Sequence, residues 1–192
     1  LVTYLQNNEL LPGILDKTSG KFYSQPFLEI SKEVIHAIYF DDYKITWLGG
    51  TNGIYNYDGS RKVNYNQDYY TSIRQVTLSD DSVLFAGSYP LNSTNNLLAA
   101  FEPIKYEYNS ISFDYAAPNN QEGISNLYSY YLEGFDETWT DWKSETKAVY
   151  TNLPEGSYTF KVKSLNGYKK ESKVTIYKFT ILSPWYRTVW AY

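Results

Sequence analysis

Residues 126–170 read NLYSYYLEGFDETWTDWKSETKAVYTNLPEGSYTFKVKSLNGYKK, a series of short segments rich in tyrosine and tryptophan. Near its end, the turn Pro154-Glu155-Gly156 leads into a run in which Tyr158, Phe160 and Val162 alternate with other residues. Alternation with a period of two is typical of a half-buried strand. A tyrosine just after such a turn, at the head of a late strand, has the position of the tyrosine corner in immunoglobulin-like sandwiches. The stretch therefore predicts a β-sandwich in which the Tyr158 hydroxyl bonds to the backbone of the preceding turn.

Alternating segments on both sides extend this pattern and predict an all-β protein. In the last segment, the inward set is predicted to change from Val174 and Ile176 to Phe179 and Ile181, with a bulge near Tyr177-Lys178. Seven or so short strands in about 90 residues are typical of an immunoglobulin-like sandwich. The predicted strands are Ile104 to Tyr108, Ile111 to Tyr115, Tyr128 to Leu132, a short one at Trp142, Ala148 to Tyr150, Ser157 to Ser164 and Val174 to Ile181.

The first half of the chain contains an internal repeat. Ile35 aligns with Ile73, Trp47 with Phe85 and Gly49 with Gly87, at one constant offset. Strand-patterned repeats of about 40 residues are typical of β-propeller blades. The copies are too few to close a propeller. Residues 1–98 are therefore predicted to form a truncated propeller end of one to two blades, with a small irregular β-subdomain resting on the sandwich as the alternative. The sandwich is then expected over residues 99–192.

The second half resembles a known family. Together its motif residues resemble the three-tyrosine (Y_Y_Y) domain, which typically closes the periplasmic propeller sensor region of bacterial two-component regulators, above all the hybrid sensors of the Bacteroides group. The repeat unit resembles the regulator-propeller repeat of the same sensors. The motif residues are Tyr131, Gly134, Phe135, Asp136, Trp139, Trp142, Tyr150, Leu153, Gly156 and Tyr158.

The resemblance implies a sensing module rather than a catalyst. It implies glycan fragments as signals, bound mainly in a propeller, and a kinase or DNA-binding output elsewhere in the protein. It also implies a periplasmic, membrane-anchored location and a homodimer, because two-component kinases work as dimers.

Composition and motifs argue against several other functions. The net charge of −4 and the pI of about 5.1 do not suit a nucleic-acid partner, which requires a basic face. Without cysteine there is neither a disulfide framework nor a thiolate metal site. His36 is the only histidine, and the acid pairs Asp41-Asp42 and Asp80-Asp81 lie between strands, where aspartate suits a turn. We therefore expect no enzymatic activity, no metal and no cofactor.

The aromatic residues leave an alternative open. Trp139, Trp142, Tyr128 and Tyr130 could form a flat platform for sugar rings, which would make the chain a carbohydrate-binding module. The competing interpretation is that Trp142 fills the sandwich core and Trp139 packs a loop over it. An adhesion or scaffold domain would fit the fold equally well.

The last residues are crowded with aromatic side chains. Trp185, Tyr186 and Trp190 lie close to Arg187, and such clusters mark the membrane–water boundary. In the resembled family this segment leads into a transmembrane helix, so a membrane helix is expected after residue 192. The absence of methionine also suggests a fragment of a longer protein. Because Tyr and Trp are enriched at interface cores, the sandwich and these three residues are the expected dimer interface.

Overall fold

The computed structural model describes residues 2–6, 9–61, 63–87, 97–99, 102–118 and 125–184. Within these ranges the chain consists of β-strands, short 3-10 helices and loops, and α-helix is absent. The chain divides into two compact units, Leu1–Gln67 and Asp68–Tyr192. The all-β prediction is confirmed.

The first unit contains two three-stranded antiparallel sheets. One has the order β1 (Val2–Gln6), β2 (Glu9–Leu15), β3 (Phe22–Tyr23), and the other has the order β4 (Ile35–Phe40), β5 (Ile45–Gly50), β6 (Gly53–Asp58). A 3-10 helix at Gln25–Ile30 buries Phe27 and Ile30 with Leu48 of β5. A small apolar core therefore holds this helix next to the second sheet.

The sheet β4-β5-β6 is the complete copy of the sequence repeat. It is a meander of three strands in the described residues, whereas a propeller blade typically has four. The propeller therefore stays a prediction.

The second unit contains two four-stranded sheets. The first has the order β12-β10-β7-β8 and is antiparallel throughout. The second has the order β11-β13-β14-β9, in which β9 lies parallel to β14. The strand bounds are β7 (Ser72–Leu78), β8 (Val83–Ala86), β9 (Leu97–Ala99), β10 (Ile111–Ala116), β11 (Leu127–Glu133), β12 (Lys147–Tyr150), β13 (Gly156–Leu165) and β14 (Thr175–Ile181).

The two sheets of the second unit pack face to face through alternate residues of each strand. The rings of Phe113 on β10 and Phe160 on β13 stack at a centroid distance of 3.9 Å, and both side chains are fully buried. Phe113 also meets Tyr150, Tyr177 and Phe179 within 6.4 Å. This layered aromatic core is that of a β-sandwich and confirms the predicted immunoglobulin-like class.

The second copy of the repeat belongs to the sandwich. Its two strands, β7 and β8, pair antiparallel, as β4 and β5 do in the first copy. However, β7 pairs with β10 along six residue pairs and therefore joins the sandwich sheet. The compact units accordingly divide after Gln67. The predicted boundary after residue 98 would have placed β7 and β8 in the first unit, whereas they belong to the second. Strand pairing decided this, and the repeat pattern contains no information about pairing partners.

Three local predictions are wrong. The predicted short strand at Trp142 does not form, and the neighbouring Lys143 makes a single bridge to Tyr128. β14 pairs with β13 without a register shift, so the predicted bulge near Tyr177-Lys178 does not form. The segment Ile104 to Tyr108 is not a strand: Ile104 makes a single bridge to Ile181, and Tyr106–Tyr108 is a 3-10 helix. In β14 the inward residues are Thr175, Tyr177, Phe179 and Ile181.

Candidate functional site

The turn before β13 is held by Tyr158. Its hydroxyl donates a hydrogen bond of 2.8 Å to the carbonyl oxygen of Pro154, which confirms the predicted tyrosine corner. The ring is buried and stacks on Phe179 at 5.3 Å. Burial, and then the charge of Glu155, raise the pKa of the Tyr158 hydroxyl, so it stays a proton donor at physiological pH.

Gly134 lies against Tyr158, so these two motif residues, which are distant in sequence, are in contact in the fold. Its φ of +97° is a conformation that favours glycine. A β-carbon at this position would lie 3.2 Å from the Ser157 carbonyl oxygen and 3.2 Å from Cδ1 of Tyr158. The Tyr158 ring therefore rests directly on the backbone at Gly134, and a larger residue would displace it.

Asp136 joins the end of β11 to β12. One carboxylate oxygen, Oδ2, accepts hydrogen bonds from the backbone N–H of Leu132 and from the Tyr150 hydroxyl, each at 2.7 Å. Burial, followed by the hydrogen bond and charge of Asp136, raises the pKa of Tyr150. Since Tyr150 lies on the opposite sheet, this pair ties the two sheets together. The Phe135 ring makes an edge-on contact with the Tyr150 ring at a centroid distance of 5.8 Å and so covers the Asp136–Tyr150 pair.

Most of the motif is therefore structural. Leu153 and Tyr150 are buried in the sandwich core, and Gly156 begins β13 with a φ of +153°. These residues, with Gly134, Asp136 and Tyr158, set the shape of one end of the sandwich.

A partly exposed cluster of aromatic and lysine side chains lies on the outer face of the second sheet. We call it the aromatic–lysine patch, and its members are Tyr131, Trp139, Trp142, Lys161 and Lys163. Tyr131 and Trp139 stack at 5.9 Å. The Lys163 ammonium lies 5.1 Å from the ring centroids of both Trp139 and Trp142, and the Lys161 ammonium lies 5.7 Å from that of Tyr131. Trp139 keeps 37% of its surface exposed.

The patch differs from both sequence interpretations of the aromatics. Tyr128 is buried and Tyr130 packs against the core, so neither belongs to an exposed platform. Trp142 is half-buried beneath Lys163 and does not fill the core. Tyr131, and not Tyr128 or Tyr130, is the β11 tyrosine of the patch, because side chains alternate along the strand and that of Tyr131 points away from the core.

Asp68–Thr71, the first residues of the second unit, are bound to the sandwich by an extensive polar network; we call them the joining segment. The Asp68 carboxylate lies 3.4 Å from the Lys170 ammonium and 3.2 Å from that of Lys173. The hydrogen bonds and charges of these lysines lower the pKa of Asp68. The Tyr69 hydroxyl lies 2.8 Å from the carbonyl oxygen of Lys170 and 3.1 Å from that of Ser164.

The joining segment ends in a buried cluster of hydroxyl groups. The Thr71 hydroxyl lies 2.8 Å from that of Ser164 and 2.9 Å from that of Ser172, while Thr175 donates to the Thr71 carbonyl oxygen. All four side chains are buried. No local sequence pattern predicts this cluster, because its members are separated by up to 104 positions.

The candidate catalytic residues have other roles in the structure. Asp41 accepts hydrogen bonds from the backbone N–H groups of Tyr43 and Ile45, and Asp80 accepts from Ser82, which confirms the turn interpretation of these acids. His36 is exposed on β4, 3.2 Å from the Thr51 hydroxyl. Among the described residues, His, Asp and Glu form no group of three or more that could hold a metal ion.

Two further points concern the membrane and the dimer. Trp185, Tyr186 and Trp190, the predicted interface residues, lie outside the described residues. The part of the chain that the structure describes includes no helix with the length and apolar character needed to cross a membrane.

Comparison with known proteins identifies relatives of both sequence and fold. Residues 119–182 match the family model of the Y_Y_Y domain. The chain is 27% identical over 150 residues to histidine kinase P4 of Formosa agariphila, covering 76% of this chain but only 11% of that protein.

Solved structures add a similarity in fold. The extracellular domain of a protein described as a hybrid two-component system of B. thetaiotaomicron superposes with a TM-score of 0.56 at 15% identity, over 93% of this chain and 25% of that chain. A second such domain from the same organism gives a TM-score of 0.49 at 20% identity, over 96% of this chain and 25% of that chain. The residues that match the Y_Y_Y model, 119–182, thus belong to the β-sandwich of the second unit and supply its strands β11 to β14.

Proposed function

We propose that this chain is an extracytoplasmic part of a two-component sensor, which relays ligand binding in a propeller to a kinase across the membrane. The Y_Y_Y match at residues 119–182 and the similarity to a histidine kinase over 76% of the chain support this assignment. Glycan fragments are the proposed signal, and the chain itself catalyses no reaction. The periplasm is the proposed location, with a membrane anchor in the same protein.

The joining segment carries the relay part of the proposal. A relay requires that displacement of the incoming chain reach the sandwich instead of being absorbed by a flexible linker. Asp68, Tyr69 and Thr71 are all bound to the segment that connects β13 with β14. Because this network is partly buried and involves both ion pairs and hydroxyl groups, a shift at Gln67 is transmitted to the centre of the second sheet.

The exposed faces of β4 support the proposed propeller. β4 is an edge strand whose large apolar side chains remain exposed, including Tyr39 at 66% and Phe40 at 63%. Since neighbouring residues of a strand point to opposite faces, both faces of this sheet present apolar surface. Propeller blades bury both faces against neighbouring blades, so this surface suits a blade within a longer array.

The test of the relay uses the full-length sensor. The double substitution Tyr69→Phe with Thr71→Val removes the two hydroxyl groups that bind the joining segment to β13 and to the connection between β13 and β14. The control, Ser157→Ala, removes an exposed hydroxyl elsewhere on the sandwich. We expect the double variant to lose most of the ligand-dependent change in autophosphorylation, and the control to keep it. Circular dichroism of the 192-residue chain establishes that both variants fold. A folded double variant with an unchanged ligand response would overturn the proposed relay.

A homodimer through the second unit is part of the proposal, since paired sandwiches would set the spacing of the helices that cross the membrane. Sedimentation at high protein concentration should detect weak self-association, because membrane tethering normally raises the effective concentration. Changing Trp185, Tyr186 and Trp190 to Ser should weaken it. A chain that is strictly monomeric at millimolar concentration, or that associates only through residues 1–67, would contradict this part.

A carbohydrate-binding module is the second candidate function. The observation in its favour is the aromatic–lysine patch. There Trp139 stacks on Tyr131 and contacts the Lys163 ammonium, yet 37% of its surface stays exposed. Binding of this chain to a glycan array, abolished by Trp139→Ala and unaffected by changes in the first unit, would favour this function over the relay.

A further inference from the structure

The chain contains two Asn-Gly dipeptides, Asn52-Gly53 and Asn166-Gly167, and each lies in the connection between two antiparallel strands. An asparagine amide before glycine is open to attack by the next backbone nitrogen, because glycine has no β-carbon to hinder the approach and has wide conformational freedom. By sequence alone the two dipeptides are equivalent, so any difference in their reactivity comes from the fold.

The reaction in question is deamidation, which needs no reactant except water. At Asn166, the backbone nitrogen of Gly167 loses its proton to water or hydroxide and bonds to Cγ. The Cγ–Nδ2 bond then breaks, and Nδ2 takes up a proton and leaves as ammonia. Water opens the resulting succinimide ring at one of its two C–N bonds. Cleavage of the new bond gives aspartate, and cleavage of the original peptide bond gives isoaspartate, in which the main chain runs through the side chain.

The turn at Asn166 donates two hydrogen bonds to the oxygen on which negative charge develops during the attack. This oxygen, Oδ1, accepts from the backbone N–H groups of Tyr168 at 3.0 Å and Lys170 at 2.9 Å. Backbone N–H groups aimed at such an oxygen stabilise the transition state, as they do in an oxyanion hole. In the described part of the chain, neither the attacking N–H of Gly167 nor the leaving Nδ2 donates a hydrogen bond, so neither has to be released before the ring closes.

The surroundings of Asn52 have the opposite effect. Its Nδ2 donates a 2.7 Å hydrogen bond to Oε1 of Glu33, and its backbone N–H donates to Oε2 at 3.2 Å. The carboxylate therefore holds the leaving amide in place, and its charge opposes a second negative charge on the adjacent oxygen. Gly53 begins β6 and pairs with Gly50 across the hairpin, which keeps the attacking nitrogen within the strand ladder.

Asn166 also holds the backbone to which the joining segment is bound. Its N–H donates to the Lys170 carbonyl oxygen at 3.1 Å, while the Lys170 N–H donates back to Oδ1. The same carbonyl oxygen accepts the Tyr69 hydroxyl at 2.8 Å, and the Lys170 ammonium lies 3.4 Å from the Asp68 carboxylate. Isoaspartate would lengthen the main chain by one carbon at this turn and add a carboxylate that competes with Asp68 for Lys170. Both contacts of the joining segment would therefore weaken.

We propose that Asn166 deamidates spontaneously to isoaspartate and that this change loosens the joining segment, whereas Asn52 is protected by Glu33. The modification is slow and one-way, because no reaction of the chain itself restores the amide. It is a property of the chain by itself and does not depend on the proposed sensor function.

Peptide mapping by mass spectrometry, after incubation of the 192-residue chain at neutral pH, measures the reaction at each site. In urea, where both turns are lost, the two sites should react at similar rates. In the folded chain we expect isoaspartate to form about tenfold faster at Asn166 than at Asn52, a modest share of what oxyanion donors contribute in enzymes. Glu33→Ala should raise the rate at Asn52 and leave that at Asn166 unchanged. Asn166→Gln keeps a side-chain amide but cannot close the five-membered ring, so it should form no isoaspartate at this position.

Amide hydrogen exchange tests the consequence for the joining segment. In the isoaspartate form, separated by ion exchange, the Lys170 amide should exchange about fivefold faster, the equivalent of one lost hydrogen bond. Any of three results would overturn the proposal: equal rates at the two sites in the folded chain, a slower reaction at Asn166 in the folded chain than in urea, or unchanged Lys170 exchange in the isoaspartate form.

Discussion

The Tyr158 hydroxyl is a single group whose contribution can be measured. It donates to the Pro154 carbonyl at 2.8 Å, while the ring stacks on Phe179. Tyr158→Phe keeps the ring but removes the hydrogen bond, so we expect the free energy of unfolding in urea to fall by about 1 kcal/mol. Tyr131→Phe is the control, since in the described part of the chain this residue makes its contacts through the ring. Equal stabilities of the two variants would contradict this role of the hydroxyl.

The turn after β11 depends on contact between its backbone and the Tyr158 ring. Gly134→Ala imposes a side chain at a φ of +97° and places a β-carbon 3.2 Å from both Ser157 and Tyr158. Gly156→Ala imposes one at a φ of +153°, where the nearest atoms lie at an ordinary 3.8 Å. Each backbone conformation costs about 1–3 kcal/mol for alanine. We expect Gly134→Ala to lower the thermal midpoint further, and the opposite order would show that the ring contact is unimportant.

The aromatic core of the sandwich makes the stability of the molecule sensitive to high pH. Burial raises the pKa values of the Tyr115, Tyr150 and Tyr177 hydroxyls, that of Tyr177 to about 12. In the unfolded chain these groups ionise near pH 10. Above that pH the unfolded state therefore binds fewer protons than the folded state, and stability must fall as the pH rises. The slope is about 1.4 kcal/mol per pH unit for each tyrosine.

Urea denaturation between about pH 8 and pH 11 measures the free energy of unfolding on both sides of the ordinary tyrosine pKa, which is about 10. The stabilising contribution is complete below pH 10 and declines above it. Because the pKa of Tyr177 in the folded state is about 12, its decline should continue to the top of this pH range. Tyr177→Phe should make the decline shallower, because one buried phenol is removed. A free energy of unfolding that stays constant across this range would contradict the burial of these hydroxyl groups.

Features that depend on residues close together in the chain could be predicted from the sequence. Alternation identified β10, β11, β13 and β14, and the Pro154–Gly156 turn predicted the tyrosine corner. The acid pairs were correctly predicted to lie in turns. These features depend on short-range geometry, namely strand pleat, glycine and proline dihedrals and aspartate capping, and all of these are local properties of the sequence. The Y_Y_Y resemblance was also visible in the sequence, because its motif residues follow a fixed order along the chain although some of their contacts, such as that of Asp136 with Tyr150, join opposite sheets.

Tertiary structure alone decided everything that depends on which strand pairs with which. β7 carries the pattern of a repeat, but its pairing with β10 makes it part of the sandwich. Tyr177 could equally have pointed outward, until the uninterrupted register with β13 placed it in the core. Trp142 lies under Lys163, and Thr71 lies against Ser164, 93 positions away. Such contacts join distant parts of the chain through folding, and a one-dimensional pattern cannot specify them because many alternative pairings satisfy the same alternation.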